Sequence, residues 1–344
     1  RGTIQNYVEL SALKESPIEM MIGPWTHSGN ARTYAGDVDY GEAAAVTDFG
    51  NEFQRRWFDR YLLSDGDAPP RKPIRLFIMG TGDGSRTEEG RIAHGGYWSE
   101  ADAWPLPAAR PTTYYFHADG GLSETKPVDS KSSTTYTFDP AHPVPTIGGN
   151  VSARVTDGAF DQRERPDFVG SRAPYLPLRA RSDVVVFQTE PLEEDVVVVG
   201  PIEVILFASS TAVDTDFTAM LVDVYPPSAD FPGGFDMNIS DALVRASYRD
   251  DRHTRDLIDP GEIYRLIVRP FPTANVFKKG HRIRVDVSSS NFPRFDVNPN
   301  TGEPLGQNRR MISADNTIHH SSANASQLVL HVLPERPSRS GVFK

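Results

Sequence analysis

The stretch Asp195–Ser209, DVVVVGPIEVILFAS, decides how this chain is read. A run of valines, a glycine–proline break, and then Val204, Leu206 and Ala208 at every second position mark a β-strand with one face turned inward. Runs of the same kind surround it: TTYYFH, STTYTF and DVVVFQT before it, and DFTAMLVDVYP, DALVRASY, EIYRLIVRP, HRIRVDVSSS and SQLVLHVL after it. Ile283, Val285 and Val287 repeat the two-residue alternation. Gly, Pro, Asp and Asn separate the runs, and no long helical pattern interrupts them. About nine or ten strands with turn punctuation predict an antiparallel sandwich of jelly-roll type. No short internal repeat is present.

Residues 1–96 follow a different grammar. RGTIQNYVELSALK places Ile4, Tyr7, Val8 and Leu13 near one helical face, which predicts a short amphipathic helix. SPIEMMIG reads as a strand opened by proline and closed by glycine. AAAVTDFGNEFQRRWFDRYLL sets Val46, Phe49, Phe53, Trp57 and Tyr61 at steps of three and four, a helix of about five turns. SDGDAPPRKP ends it, and IRLFIMG is the next strand. Helix, strand, loop, helix, strand is one unit of an α/β layer, too little for a self-contained doubly wound domain. At about Tyr97 a connector bearing Trp and Pro, YWSEADAWPLPAARP, leads into the β-rich part. The expected division is therefore 1–96 and 97–344. Within the second part, residues 139–175 show little periodicity and many prolines and glycines. A loop that long in a compact domain is functional or wraps a neighbour.

Bulk properties narrow the function classes. Of 344 residues, 36 are Lys or Arg and 46 are Asp or Glu, a net charge of −10 with no block of like charge. That balance argues against a nucleic-acid groove or a polybasic membrane face. There are no cysteines, so disulfides and thiolate metal sites are excluded. No apolar run reaches the roughly 18 residues that span a bilayer. The chain begins at Arg1 with no visible signal peptide, so processing or truncation of a longer protein is expected, and localisation, cytoplasmic or exported, stays open.

One histidine stands out. MMIGPWTHSGN, Met20–Asn30, climbs an apolar strand and delivers His27 on the turn that follows. Two readings stay open: the general base of a Ser-His-Asp system, or a loop histidine bonded to backbone. No G-x-S-x-G elbow occurs, and GDGSRTEEG around Ser85 has the wrong spacing. Upstream of His27 the acids are Glu9, Glu15 and Glu19, none of them placed to orient an imidazole. In α/β-hydrolases the order is Ser, acid, His, so a chain beginning just before the histidine lacks the first two. Other constellations are weaker. His319 and His320 are adjacent and lack a third ligand. Asp37–Gly41, DVDYG, opens like a calcium loop but lacks its later ligands. Asp214 and Asp216, upstream of Asp223, share a parity and read as strand caps or turns. Gly80–Gly84, GTGDG, has no following Lys-Ser/Thr, and Trp98 and Trp104 read as core or interface anchors. No metal or cofactor is expected.

These motifs together resemble a known family. GPWTHSGN, FDRYLL, IRLFIMG, WPLP, FDPAHPVPTIGG, SSTAVDTDFTAMLVDVYP, GHRIRVDVSSSNFPRFDVNPNTGE and NTIHH…SQLVLHVLP closely resemble the family of cocaine esterase and its bacterial relatives. That family includes α-amino-acid ester hydrolases and certain cephalosporin acylases and is related to the X-prolyl dipeptidyl peptidases. The similarity runs from about Arg1 to Pro334.

The resemblance implies a mixed fold: the C-terminal part of an α/β-hydrolase domain followed by an all-β jelly roll. It implies that His27, in the motif Gly23-Pro24-Trp25-Thr26-His27, is the catalytic histidine. The serine, the acid, a helical cap and the oxyanion tyrosine would precede Arg1. The segment matching PVPTIGG approaches the active site in the family, which makes Trp25, Gly148, Gly149, Asn150 and Val151 candidate pocket wall. Asn150, Val151, Ser152 and Ala153 stand where relatives carry apolar residues, implying a smaller or more polar wall. The expected function is cleavage of a small acyl ester or amide substrate, with the missing hydrolase portion supplied by the same protein or a separate chain. Homo-oligomer formation is left open. The rival reading is a non-catalytic jelly-roll module that binds carbohydrate or serves a structural role.

Overall fold

The protein is described here from a computed structural model covering residues 2–63, 72–150, 156–251 and 253–340. Strand Val196–Ser210 is its hub. It pairs with Thr273–Phe277 along its first half, with Tyr264–Val268 and Ala314–His319 along its second, and with Gln327–Leu333 on the side it shares with the last of these. Fifteen residues are too long for one flat neighbour, and the pairing with Gln327–Leu333 shifts register between Val198 and Ile202. The break coincides with Gly200-Pro201. Gly200 has φ of 151°, and a Cβ there would lie 2.7 Å from His331 Cβ, so glycine is what lets the two strands meet.

The valine run is buried on both faces. Val198 packs with Ile202, Val204, Leu206 and Ala208 into the main core, which includes Phe116, Phe187 and Phe217. Val197 and Val199 face the other way, against Ile74, Leu76, Ile78 and Tyr97. A sheet covered on both sides needs such a continuous apolar run, whereas the alternating half further along turns Glu203 outward to Arg269 (2.9 Å).

The main core lies between this eleven-stranded sheet and a four-stranded one, ordered Val185–Gln188, Arg282–Ser288, Asp216–Tyr225, Phe235–Arg245. The rings of Phe116 and Phe187 stack across it at 4.2 Å. The antiparallel sandwich predicted by the alternation is therefore present, and all nine runs fall on strands. Sequence reading missed Gly96–Ala101, Thr273–Phe277 and Ala314–His319 together with four two-residue strands, Tyr34–Ala35, Val38–Asp39, Ile92–Ala93 and Leu122–Ser123, and it began Phe235–Arg245 six residues late. Those segments, such as TANVF and FDMNIS, interleave Asn, Asp and Ser that find partners only in the folded sheets.

The N-terminal part joins the same large sheet. Met20–Ile22 runs parallel to Ile74–Met79, which pairs with Gly96–Ala101 and touches Thr273–Phe277 at Asn275. The expected boundary at 96/97 thus falls inside a strand that is hydrogen-bonded to Ile74–Met79. Helix Gly2–Leu13 forms, but of its expected apolar face only Ile4 and Tyr7 pack against the sheet; Val8 and Leu13 are exposed, as is Leu10. The second helix is shorter than the spacing predicts. It starts with a π turn at Phe49–Phe53 and continues as α over Gln54–Leu62. Val46 lies outside it, buried in a loop, because Trp25 and Trp98 donate their indole N–H groups to the carbonyls of Ala44 and Ala43 (both 2.7 Å). The two alanines lie in a separate 3-10 turn, Glu42–Ala44, in which Gly41 O and Glu42 O accept from Ala44 N and Ala45 N. The helix exposes Trp57, Phe58, Tyr61 and Leu62.

A buried polar chain ties the pieces together. Tyr225 donates to His94 Nδ1, and His94 Nε2 donates to Asn275 Oδ1 (2.9 Å). Asn275 donates to Asp223 Oδ2 (3.4 Å), and His281 Nδ1 donates to Asp223 Oδ1 (2.7 Å). His94 follows a small three-stranded sheet, Asn275 belongs to the large sheet, and Asp223 and Tyr225 belong to the four-stranded one. Complete burial pushes His94 down to about 4, and its accepted and donated bonds are those of the neutral ring. Its folded pKa lies below the unfolded value, so the unfolded chain binds the extra proton. Stability should therefore fall as pH drops from 6.5 toward 4, by on the order of 3 kcal/mol from this residue. Urea unfolding across that window should show a steeper pH slope for wild type than for His94→Gln; equal slopes would remove His94 as the cause.

Candidate active site

His27 sits where the strand Met20–Ile22 ends. The chain turns tightly, Thr26 O accepting from Gly29 N and Gly29 O from Arg32 N (each 3.0 Å), with Ser28 at φ 62°. Gly23 is required just before: a Cβ there would lie 2.5 Å from the ring of Trp25, which folds back over it. Trp25 is fixed in turn by its bond to Ala44 O and by edge contacts with Phe49 and Trp98. His27 is left solvent-exposed, and it makes no side-chain hydrogen bond among the described residues.

It lines a cavity of about 570 Å³ at the meeting point of the three sheets. Gly23–His27 form one side, with Leu76, Phe77 and Met79 of the parallel strand; Tyr40 closes the small-sheet side. Met237–Ile239 and Phe271–Ala274 form the sandwich side. The long loop supplies the remaining wall through Gly149 and Asn150. It is held there by paired bonds between Gly149 and Gly158 (2.7 and 3.1 Å) and by Asp37 N donating to Ala159 O (2.9 Å). The loop thus wraps a neighbour, one of the two roles its length suggested, and its tip lines the cavity.

The structure brings His27, Trp25, Gly149 and Asn150 together on one cavity. Gly148 does not reach the wall; it is buried behind it against Phe160. Val151 lies outside the described residues. The sandwich-side residues Asn238, Phe271 and Thr273 were not legible in the sequence, because they come from strand ends far apart in the chain. Tyr40 was read only as part of a would-be calcium loop. Its buried hydroxyl is held above the usual phenol range by desolvation and stays protonated.

The alternative constellations resolve into structure. Glu19 pairs with Arg75 and accepts from Tyr61 (3.3 Å), and Ser85 donates to Asp83 (2.7 Å) in a surface turn. His319 bonds Ser209 (3.0 Å) while His320 bonds Ser132 (2.6 Å) and Thr134 (3.0 Å), so the two rings serve separate hydroxyls. Asp37 pairs with Arg165 (2.6 Å), and Asp39 accepts from Gly41 N (2.6 Å). Asp216 opens the strand Asp216–Tyr225, as its reading as a strand end expects, and is bonded there to Arg245 by both oxygens (2.8 Å each). Asp214 binds Ser247 (2.9 Å). Gly82 N donates to His94 O (2.6 Å), which fixes the glycine turn against the neighbouring strand. Trp98 is core, and Trp104 lines the cavity. No group of three or more metal-ligating side chains occurs among the described residues.

Residues 68–329 match the family described as the X-Pro dipeptidyl-peptidase C-terminal non-catalytic domain. The chain belongs to that family. His27 lies before the matched stretch. Cocaine esterase from Rhodococcus sp. (strain MB1 Bresler) is 36% identical over 327 residues, 91% of this chain and 51% of that protein. A putative serine esterase from Mycobacterium tuberculosis (strain CDC 1551 / Oshkosh) is 25% identical over 300 residues, 81% and 42%. Among solved structures, an α-amino acid ester hydrolase superposes with a TM-score of 0.77 at 28% identity, covering 96% of this chain and 53% of that one. An aminopeptidase from a marine sediment Thaumarchaeota archaeon shares the fold with a TM-score of 0.77 at 24% identity, covering 96% and 52%. The chain spans about half the length of the curated relatives it matches.

The Gly23–Trp25 contact gives a direct test. Gly23→Ala should force the indole off its seat and cost roughly 1–3 kcal/mol. Chemical denaturation would measure that loss, and tryptophan fluorescence would report the ring's release.

Proposed function

We propose that this chain is the C-terminal part of a serine hydrolase that cleaves an acyl ester or amide, with His27 as its general base. The observation that carries the reading is the placement of His27. It lines a cavity with no charged side chain among its described lining residues, in the motif resembling the family's catalytic one, and no carboxylate or serine bonds it among the described residues. A histidine so placed needs partner groups that the described residues do not bond to it, and relatives carrying esterase names are about twice as long. In this reading residues 1–96 belong to the hydrolase domain and 97–344 form the jelly-roll sandwich.

The serine of the remaining portion attacks the carbonyl while His27 Nε2 takes its proton and returns it to the leaving group. A carboxylate from the same portion orients the ring through Nδ1 and stabilises the imidazolium. Pre-aligned N–H donors and a tyrosine hydroxyl hold the oxyanion. The sandwich contributes the far wall of the cavity, and the scheme needs no cofactor.

In the polypeptide that includes the remaining portion, His27→Ala should lower turnover of a chromogenic ester by about 10⁴-fold or more while leaving the unfolding midpoint within error. Near-wild-type turnover would refute the assignment. Residues 1–344 alone should not react with a fluorophosphonate, since the nucleophile is not among them; stoichiometric labelling would place a catalytic serine inside this chain.

A further inference from the structure

We infer that the buried ion pair of Arg294 and Asp241 is a positioning device: it holds the wall on which the far end of the substrate packs, and the inference rests on the serine-hydrolase reading. Neither residue lines the cavity. Both side chains are more than nine-tenths buried behind its wall, with Arg294 Nη1 donating to Asp241 Oδ1. Asp241 Oδ2 accepts from Asn291 Nδ2 (2.6 Å), and Asn291 Oδ1 accepts from Thr146 Oγ1 (2.6 Å). The same hydroxyl accepts from Arg294 N (3.2 Å), which closes a ring of bonds.

Two parts of the wall lean on this pair. The first is the tip of the long loop. Gly149 lines the cavity and comes so close to Arg294 that a Cβ on it would lie 2.8 Å from Nη1. The run leading to it is bound to the segment that carries Arg294. Val144 N donates to Ser290 Oγ (2.8 Å), Phe292 N to Val144 O (2.9 Å), and Thr146 N to Phe292 O (2.7 Å). The second part is Phe271, which also lines the cavity and whose ring the Arg294 guanidinium faces at 5.7 Å. Ser240, next to Asp241 along its strand, donates to Phe271 O (2.9 Å). One guanidinium is thus fixed against two wall elements that are far apart in sequence. A buried ion pair adds little net stability, because the cost of taking two charges out of water offsets their attraction. What it adds is direction, since a planar fork of N–H donors has few seats on a carboxylate. The pair of Arg245 and Asp216 provides the contrast: it is bonded by both oxygens, yet neither residue lines the cavity or touches its wall.

Asp241→Asn combined with Arg294→Met removes both charges and leaves no buried ion unpaired. In the polypeptide that includes the remaining hydrolase portion, 4-nitrophenyl acetate and 4-nitrophenyl hexanoate separate the roles. Only the longer acyl chain has to extend from a carbonyl at His27 across the cavity to the sandwich side. The double variant should raise KM for the hexanoate roughly tenfold, with kcat changed less than about twofold on both esters and the acetate KM unmoved. Asp216→Asn combined with Arg245→Met should leave both KM values unchanged. Arg294→Lys keeps the charge beside Asp241 but withdraws the planar fork from Gly149 and Phe271, and it is the variant to read if the double one does not fold. Its KM for the hexanoate should rise about threefold. Equal or lower KM values in the folded variant on both esters would overturn the inference. So would equal rises on both esters, or the same rise in the Asp216 and Arg245 control, which would mean that the pair only stabilises the sandwich. Activity lost in His27→Ala together with wild-type KM values in the Arg294 variants refutes this inference alone. Activity retained in His27→Ala refutes the hydrolase reading and this inference with it.

Discussion

Burial of one strand on both of its faces organises this molecule. Val196–Val199 must be covered by the sandwich core on one side and by the parallel strand, its partner Gly96–Ala101 and the N-terminal helix on the other. Neither side can be removed without exposing valines. Beyond Gly200-Pro201 the same strand becomes half-covered, faces only the sandwich core, and takes new neighbours. The glycine–proline step is thus where the chain passes from a two-sided layer to a sandwich. Thr273 lies directly across from that step, which places the cavity wall at the same point of the fold.

The polar interior complements this arrangement. The chain from Tyr225 through His94, Asn275 and Asp223 to His281 links all three sheets, with only its last bond, His281 to Asp223, made within the four-stranded one. Such bonds add directional demands that apolar packing does not make. The tryptophans act similarly at the cavity: Trp25 and Trp98 each spend their N–H on an adjacent backbone carbonyl, fixing the turn that positions Gly23–His27. The proposed base is therefore mounted on a rigid support while its own ring stays exposed.

Much of the fold was legible because strand alternation is a local property. Val204, Leu206 and Ala208 announce their shared face without reference to any partner. The helix at 46–61 was over-read because its apolar spacing continues into residues whose carbonyls the indoles capture, a competition only the folded chain reveals. Gly148 and Gly149 look equivalent in sequence, yet one packs against Phe160 and the other lines the cavity, since their backbone directions differ.

The sequence by itself determined the antiparallel sandwich, the single α/β unit before it, the family resemblance, and His27 as the residue worth explaining. These follow from period, punctuation and motif, which neighbours along the chain supply. Tertiary structure decided which walls surround His27, that Asp216 is an ion-paired core residue, and that the Thr273 hydroxyl is buried without a partner among the described residues. Those outcomes depend on groups hundreds of residues apart meeting at a sheet junction, and no local pattern encodes which buried polar group will find a partner there.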